Sequence, residues 1–146
     1  MRISRSFNRK LPTEQEIRNF VPHRGRDIWL SLDESWRCPV CGRGKRELMR
    51  WRKGTGGSGQ WTCSLHLHHD HGDRWTGRRL VCGDCNAADG IAKRLLKLPS
   101  SWSFSPDELA SFVKCEPNGS IESVDLDTAW DIFERYLQDA YTESVE

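Results

Sequence analysis

The sequence predicts an α+β fold: a small strand-bearing centre stapled by zinc, flanking helices, and a helical C-terminal extension. Three observations carry this. Cys38-Pro39-Val40-Cys41 and Cys82-Gly83-Asp84-Cys85 form two CxxC knuckles. Between them, short segments alternate apolar and polar residues in the manner of strands. On either side, capping residues mark helix starts. Only 36% of the 146 residues are hydrophobic, against roughly 45–50% in an average globular chain. A core this thin, in what the length suggests is one domain, needs a staple.

Taken in order, residues 1–35 read as a basic arm followed by a short helix. Thr13 with Glu16 forms a capping box, and the helix should stop before Pro22. Ile28, Trp29, Leu30 and Leu32 are expected core residues. Residues 36–98 form the zinc-bound centre. Arg46–Lys53 is expected as a strand. Gly54-Thr55-Gly56-Gly57-Ser58-Gly59 must be a loop. It lacks the Lys-Ser/Thr ending of a P-loop, so a plain mobile connection is favoured over a phosphate cradle. Gln60–His69 and Arg78–Cys82 are expected strands. Asn86–Leu98 is an expected helix with Ile91, Leu95 and Leu98 facing the core. Residues 99–146 form the extension. Ser105-Pro106-Asp107-Glu108 opens one helix. Asp127 is expected to cap another running to about Tyr141, with Ala129, Ile132, Phe133, Tyr136, Leu137 and Ala140 as its apolar stripe. That stripe suits a core face or, alternatively, a dimer seam.

The net charge of +1 conceals two halves. Residues 1–100 hold 20 Lys and Arg against 10 Asp and Glu; residues 101–146 hold 2 against 11. A basic body suggests a polyanionic partner. No apolar run is long enough for a transmembrane helix. The basic start has no apolar segment behind it, which argues against a secretory leader. The cysteines are therefore expected as thiols or metal ligands rather than disulfides. Two CxxC pairs supply four thiolates, which fill a tetrahedral zinc shell at ~2.3 Å with no open position. Such a site contributes on the order of 10–16 kcal/mol of apparent binding free energy in zinc-finger peptides. Cys63 and Cys115 are expected to be ordinary small apolar residues.

Between the knuckles lies Leu65-His66-Leu67-His68-His69-Asp70-His71. Four histidines beside an aspartate point to metal binding or catalysis rather than core filling. Asn86 follows the last knuckle cysteine and opens a helix, where phosphate is favoured. Arg78, Arg79, Lys93 and Arg94 add positive charge around it.

The segments LHLHHDH at 65–71 and LVCGDCNAADG at 80–90 resemble the HNH, or ββα-metal, endonucleases, most closely the recombination endonuclease VII branch. That branch carries a CxxC, a strand reading LHLDHDH, and a strand ending LCxxCNAAEG. The resemblance covers roughly residues 36–98. It implies a ββα-metal nuclease core acting on DNA, double-stranded or branched, in the cytoplasm of a bacterial or phage-infected cell. It implies His69 as the base that activates water, and His68 and Asn86 as ligands of one catalytic divalent ion (Mg, Mn, Ni or Zn). Cys38, Cys41, Cys82 and Cys85 match its structural zinc ligands, and His66, His71 and Asp89 its supporting positions. His68 replaces the branch's usual aspartate, which favours borderline metals over magnesium. Arg78, Arg79, Lys93 and Arg94 are the expected nucleic-acid contacts, and the C-terminal helices offer a homodimer seam. Neighbours 68 and 69 point to opposite faces of a regular strand, so the chain is expected to leave the ladder there. The alternatives are a non-catalytic zinc-stapled nucleic-acid-binding module and a protein-docking unit.

Overall fold

The computed structural model describes residues 1–2, 9–72 and 74–145. Most of the expected basic arm, residues 3–8, lies outside them. Two short helices, α1 (Glu14–Asn19) and α2 (Arg26–Ser31), come first. Thr13 caps α1 through the expected box: its Oγ1 accepts from Glu16 N at 3.1 Å, and Glu16 Oε1 accepts from Thr13 N at 3.0 Å. The two helices meet through Phe20 and Trp29, edge to face at 5.3 Å. Of the four expected core residues around Trp29, only Trp29 is buried, and Ile28 and Leu30 are exposed.

The expected strand over Arg46–Lys53 divides into helix α3 (Lys45–Leu48) and strand β1 (Arg50–Lys53). Glu47 accepts from Gly44 N at 3.2 Å and fixes the helical turn. The expected strand over Gln60–His69 also divides, into β2 (Gly59–Thr62) and β3 (Leu65–His69). Each half serves a different partner. β2 pairs antiparallel with β1, and β3 with β4 (Arg78–Cys82). In the first pair Trp51 faces Trp61 across the ladder, with rings at 5.2 Å. Gly59 is required there, because a Cβ would lie 2.5 Å from the Trp51 ring.

Helix α4 (Gly83–Leu96) follows β4 without a loop. It starts three residues before the expected Asn86, because the second knuckle is itself its first turn. Its buried face is Cys85, Ala88, Asp89 and Ala92. Leu95, expected inward, is exposed. Beyond it, α5 (Pro106–Phe112) has Ser105 as N-cap, accepting from Glu108 N at 3.2 Å.

A hairpin that sequence reading missed, β5 (Val113–Cys115) with β6 (Ile121–Val124), precedes α6 (Leu126–Val145). The α6 cap is Asp125, not Asp127; Asp125 Oδ1 accepts from Thr128 N at 3.2 Å. Ala129 and Phe133 of the α6 stripe are buried, while Tyr136 and Leu137 are exposed. One hydrophobic cluster runs from Cys38 through Val81 and Phe104 to Phe133. The C-terminal segment therefore completes the core shared with the cysteine-bearing centre. Among the described residues, no helix is long and apolar enough to cross a membrane.

Candidate functional site

The two knuckles come together as the sequence predicts. The Sγ atoms of Cys38, Cys41, Cys82 and Cys85 all lie within 4.8 Å of one another, and Cys41 and Cys82 are 3.8 Å apart. Tetrahedral zinc–thiolate bonds of ~2.3 Å separate sulfurs by about 3.8 Å. The four cysteines thus fit a structural metal such as zinc. The first knuckle turns through Gly42, whose φ of 76° is left-handed and whose N donates to Cys38 O at 2.8 Å. Cys82 N donates to Cys38 Sγ at 3.4 Å, tying the knuckles together.

Arg43 closes this centre, and nothing in the sequence set it apart from the other cations. It is 5% exposed. Its Nε donates to Cys41 Sγ at 3.2 Å. Nη2 donates to Cys82 Sγ at 3.3 Å and to Asp84 Oδ2 at 3.0 Å. Nη1 donates to the carbonyls of Glu116 at 3.1 Å and Gly119 at 3.0 Å. Every guanidinium N–H has an acceptor. Burial opposes its charge, but the sulfurs of Cys82 and Cys41 outweigh that and raise its pKa. Four thiolates around a dication leave a net negative charge, which Arg43 offsets while joining the centre to the β5–β6 turn.

The two remaining cysteines differ. Burial pushes Cys63 up to about 12, which keeps it an inert thiol as expected. Cys115 departs from expectation: its Sγ lies 3.9 Å from that of Cys85. The Cys41 sulfur, then burial, pushes it up to about 12. It is a protonated thiol against the cluster rather than a detached apolar filler. Cys41 is held far below the usual thiol range, first by Cys115 and then by Cys38 and Cys82.

The histidine strand gives a second centre. His68 is 3% exposed. Its Nε2 lies 2.7 Å from Phe104 O, and since a carbonyl only accepts, Nε2 carries the proton. In the neutral ring Nδ1 is then a lone pair, and it faces Asn86 Oδ1 at 3.2 Å. Two ligand atoms bound at ~2.0–2.1 Å to one ion lie about 2.8–3.4 Å apart at octahedral to tetrahedral angles. His68 and Asn86, 18 positions apart in sequence, therefore offer a convergent pair that fits a divalent ion. The proton on the far nitrogen, held by a backbone carbonyl, is the usual support of a ligating histidine.

That support is itself built. Asp89, buried on α4, accepts from Phe104 N at 2.8 Å, so both backbone polar groups of Phe104 are held. The Trp75 ring stands 5.4 Å from the His68 ring. The β3–β4 connection is ordered by Asp70, which accepts from the backbone N of Gly72, Arg74 and Trp75 at 3.0, 2.7 and 3.0 Å. Burial works to raise the Asp70 pKa, but these three donors prevail and lower it. Arg74 donates to Glu108 and stacks over Trp102 at 4.0 Å, fastening the connection to α5 and the core.

His69 is exposed, on the face opposite His68. The ladder runs through both, with His68 opposite Arg79 and His69 opposite Arg78. The chain therefore leaves the ladder after His69, not at it, since both residues keep their cross-strand partners. His69 Nδ1 lies 3.5 Å from Leu67 O, and its ring is 4.8 Å from that of His71. His66 Nε2 contacts Ser64 Oγ at 3.0 Å. Of the expected cationic contacts, Arg78 and Arg94 are exposed. Arg79 reaches Asp107 at 3.3 Å, and Lys93 is drawn inward to Asp89 at 3.5 Å.

The chain matches no protein-family model, no curated protein and no solved structure.

Proposed function

We propose that this protein is a metal-dependent endonuclease of the HNH, ββα-metal kind, hydrolysing DNA phosphodiester bonds. The observation that carries the reading is the meeting of His68 Nδ1 and Asn86 Oδ1 at 3.2 Å, on a β-strand and the first turns of the helix that follows its partner strand. The exposed arginines of β4 support it, Arg79 opposite His68 and Arg78 opposite His69, while His69 itself lies on the other face of β3 and its part rests on the sequence resemblance.

A divalent ion held by His68 and Asn86 would stabilise charge on the scissile phosphate and the leaving oxygen. The protein's own groups do the rest. Nε2–H of His68, donated to Phe104 O, keeps Nδ1 free as a ligand. His69, when its Nδ1–H points to Leu67 O, keeps Nε2 unprotonated to take the proton of the attacking water. Arg78 and Arg79 border the same strand pair and can hold phosphate oxygens in their planar forks. The cysteine centre, with all four ligand positions filled by protein, plays the structural part.

Plasmid cleavage with added magnesium, manganese, nickel or zinc tests this. Wild-type protein nicks supercoiled DNA, and His69→Ala does not, though it keeps its zinc. Wild-type protein that binds DNA yet cuts it with none of these ions would instead favour a non-catalytic zinc-stapled binding module.

A further inference from the structure

The β1–β2 ribbon is not used by this mechanism. One of its faces is anchored. Trp51 and Trp61 pack together, Lys10 Nζ sits 3.3 Å from the Trp51 ring, and Trp61 Nε1 donates to Glu16 Oε2 at 2.6 Å. The other face is open. Arg50, Arg52 and Thr62 line a groove of about 370 Å³ between the ribbon and Gly83. Arg52 and Lys53 border a second concavity at the tip. Both are exposed, and neither has an ion-pair partner among the described residues. Arg50, by contrast, is shared with Asp84 at 3.6 Å. From Leu48 to His69 the sequence contains no aspartate or glutamate. The tip carries Gly54, Gly56, Gly57 and Gly59 and no bulky side chain.

These features match one polyanion best. A two-stranded antiparallel ribbon fits the major groove of B-form DNA, which is about 12 Å wide. Strands of four residues are about 13 Å long and lie ~4.8 Å apart. The deep, narrow major groove of an A-form RNA duplex does not admit such an element. We propose that the β1–β2 ribbon is a second DNA-contacting element, its glycine tip entering the major groove of a B-form duplex while Arg52 and Lys53 hold phosphates at the rim. The inference rests on the DNA-directed reading above, and it adds a site apart from His68, His69 and Asn86. The anchored tryptophan face makes the ribbon a stiff projection, so the ordering cost on binding is small.

The test is fluorescence anisotropy of the full chain with a labelled B-form duplex, without added divalent metal, over a range of salt. Arg52→Gln/Lys53→Gln is compared with Lys114→Gln/Arg135→Gln, which removes the same charge from β5 and α6. Zinc content and circular dichroism confirm that each variant is folded. The ribbon variant binds about ten-fold more weakly near 0.1 M salt, and the slope of log K against log salt falls by about 2. The control variant keeps the wild-type slope, and an RNA duplex of the same sequence shows no ribbon-dependent loss. Equal losses in both variants, or in DNA and RNA duplexes, overturn the inference, as does wild-type protein that does not bind the duplex. The nuclease reading is judged separately: cleavage that persists with an unchanged slope sinks the ribbon alone, and ribbon-dependent binding without cleavage sinks the nuclease alone.

Discussion

The cysteine centre and the histidine centre share α4 but are built in opposite ways. Cys82 precedes α4 and Cys85 lies in its first turn, while Asn86 is the next residue along. At the cysteine centre four protein ligands converge, and a buried arginine spends all its donors on the sulfurs and their surroundings. At the histidine centre only His68 and Asn86 converge, His68 is held from behind by the Phe104 carbonyl, and the adjoining His69 faces solvent. A site complete in itself can hold a fold together, whereas one that supplies two ligands leaves positions for water and substrate. One helix start thus carries residues of both centres.

The largest break in this comparison comes from the closed centre. Cys85→Ser removes one of the four converging thiols and leaves buried Cys38 and Cys82 with half-buried Cys41. We expect loss of zinc and of cooperative unfolding, given the roughly 10–16 kcal/mol that such sites supply in small zinc domains. Metal analysis beside a thermal melt reads both. Arg43→Met is next. It removes the buried guanidinium that joins Cys41, Cys82 and Asp84 to the β5–β6 turn, and breaking such a cation's contacts costs about 3–5 kcal/mol. Chemical denaturation measures the loss, and a variant as stable as wild type would show the guanidinium to be dispensable.

His68→Ala and His69→Ala separate support from chemistry. The first leaves the Phe104 carbonyl without its donor inside the core, costing about 1–3 kcal/mol. The second changes an exposed side chain and should move stability by no more than about 0.5 kcal/mol. On the proposed nuclease reading both lose cleavage, so stability and activity part company only at His69.

The smallest effect is at the periphery. The backbone N of Thr13, then the Trp61 indole, holds the Glu16 carboxyl below the usual glutamate range. Its contribution to α1 is therefore present above the ordinary value of about 4.3 and lost as pH falls through the lower folded pKa. The Trp61 indole N–H resonance should shift through that same interval, and Glu16→Gln should abolish the transition.

The sequence was most legible where spacing alone fixes geometry. The CxxC pairs, the Thr13 and Ser105 caps and the β3–β4–α4 order are local patterns, and all are present. What it hid was tertiary. Arg43 is one of 22 basic residues, and only its burial against Cys41 and Cys82 distinguishes it. Cys115 meets Cys85 because the β5–β6 hairpin folds back, and strands of three and four residues carry too little pattern to announce that. Phe104 supports His68 through its backbone, which no side-chain motif encodes. Leu95 points outward because the buried face of α4 is set from its first turn, through Cys85, Ala88, Asp89 and Ala92.

The claim that two centres of different kind lie side by side is tested most directly by metal stoichiometry. Wild-type protein and Asn86→Ala are equilibrated with manganese or nickel, dialysed and analysed for bound metal. The account predicts one tightly held zinc in both, and one further ion in wild type that Asn86→Ala loses. A wild-type protein that takes up no second ion, or a variant that retains it, would contradict the account. His68 and Asn86 would then be a hydrogen-bonded pair, the amide turned to donate to Nδ1, rather than a metal site.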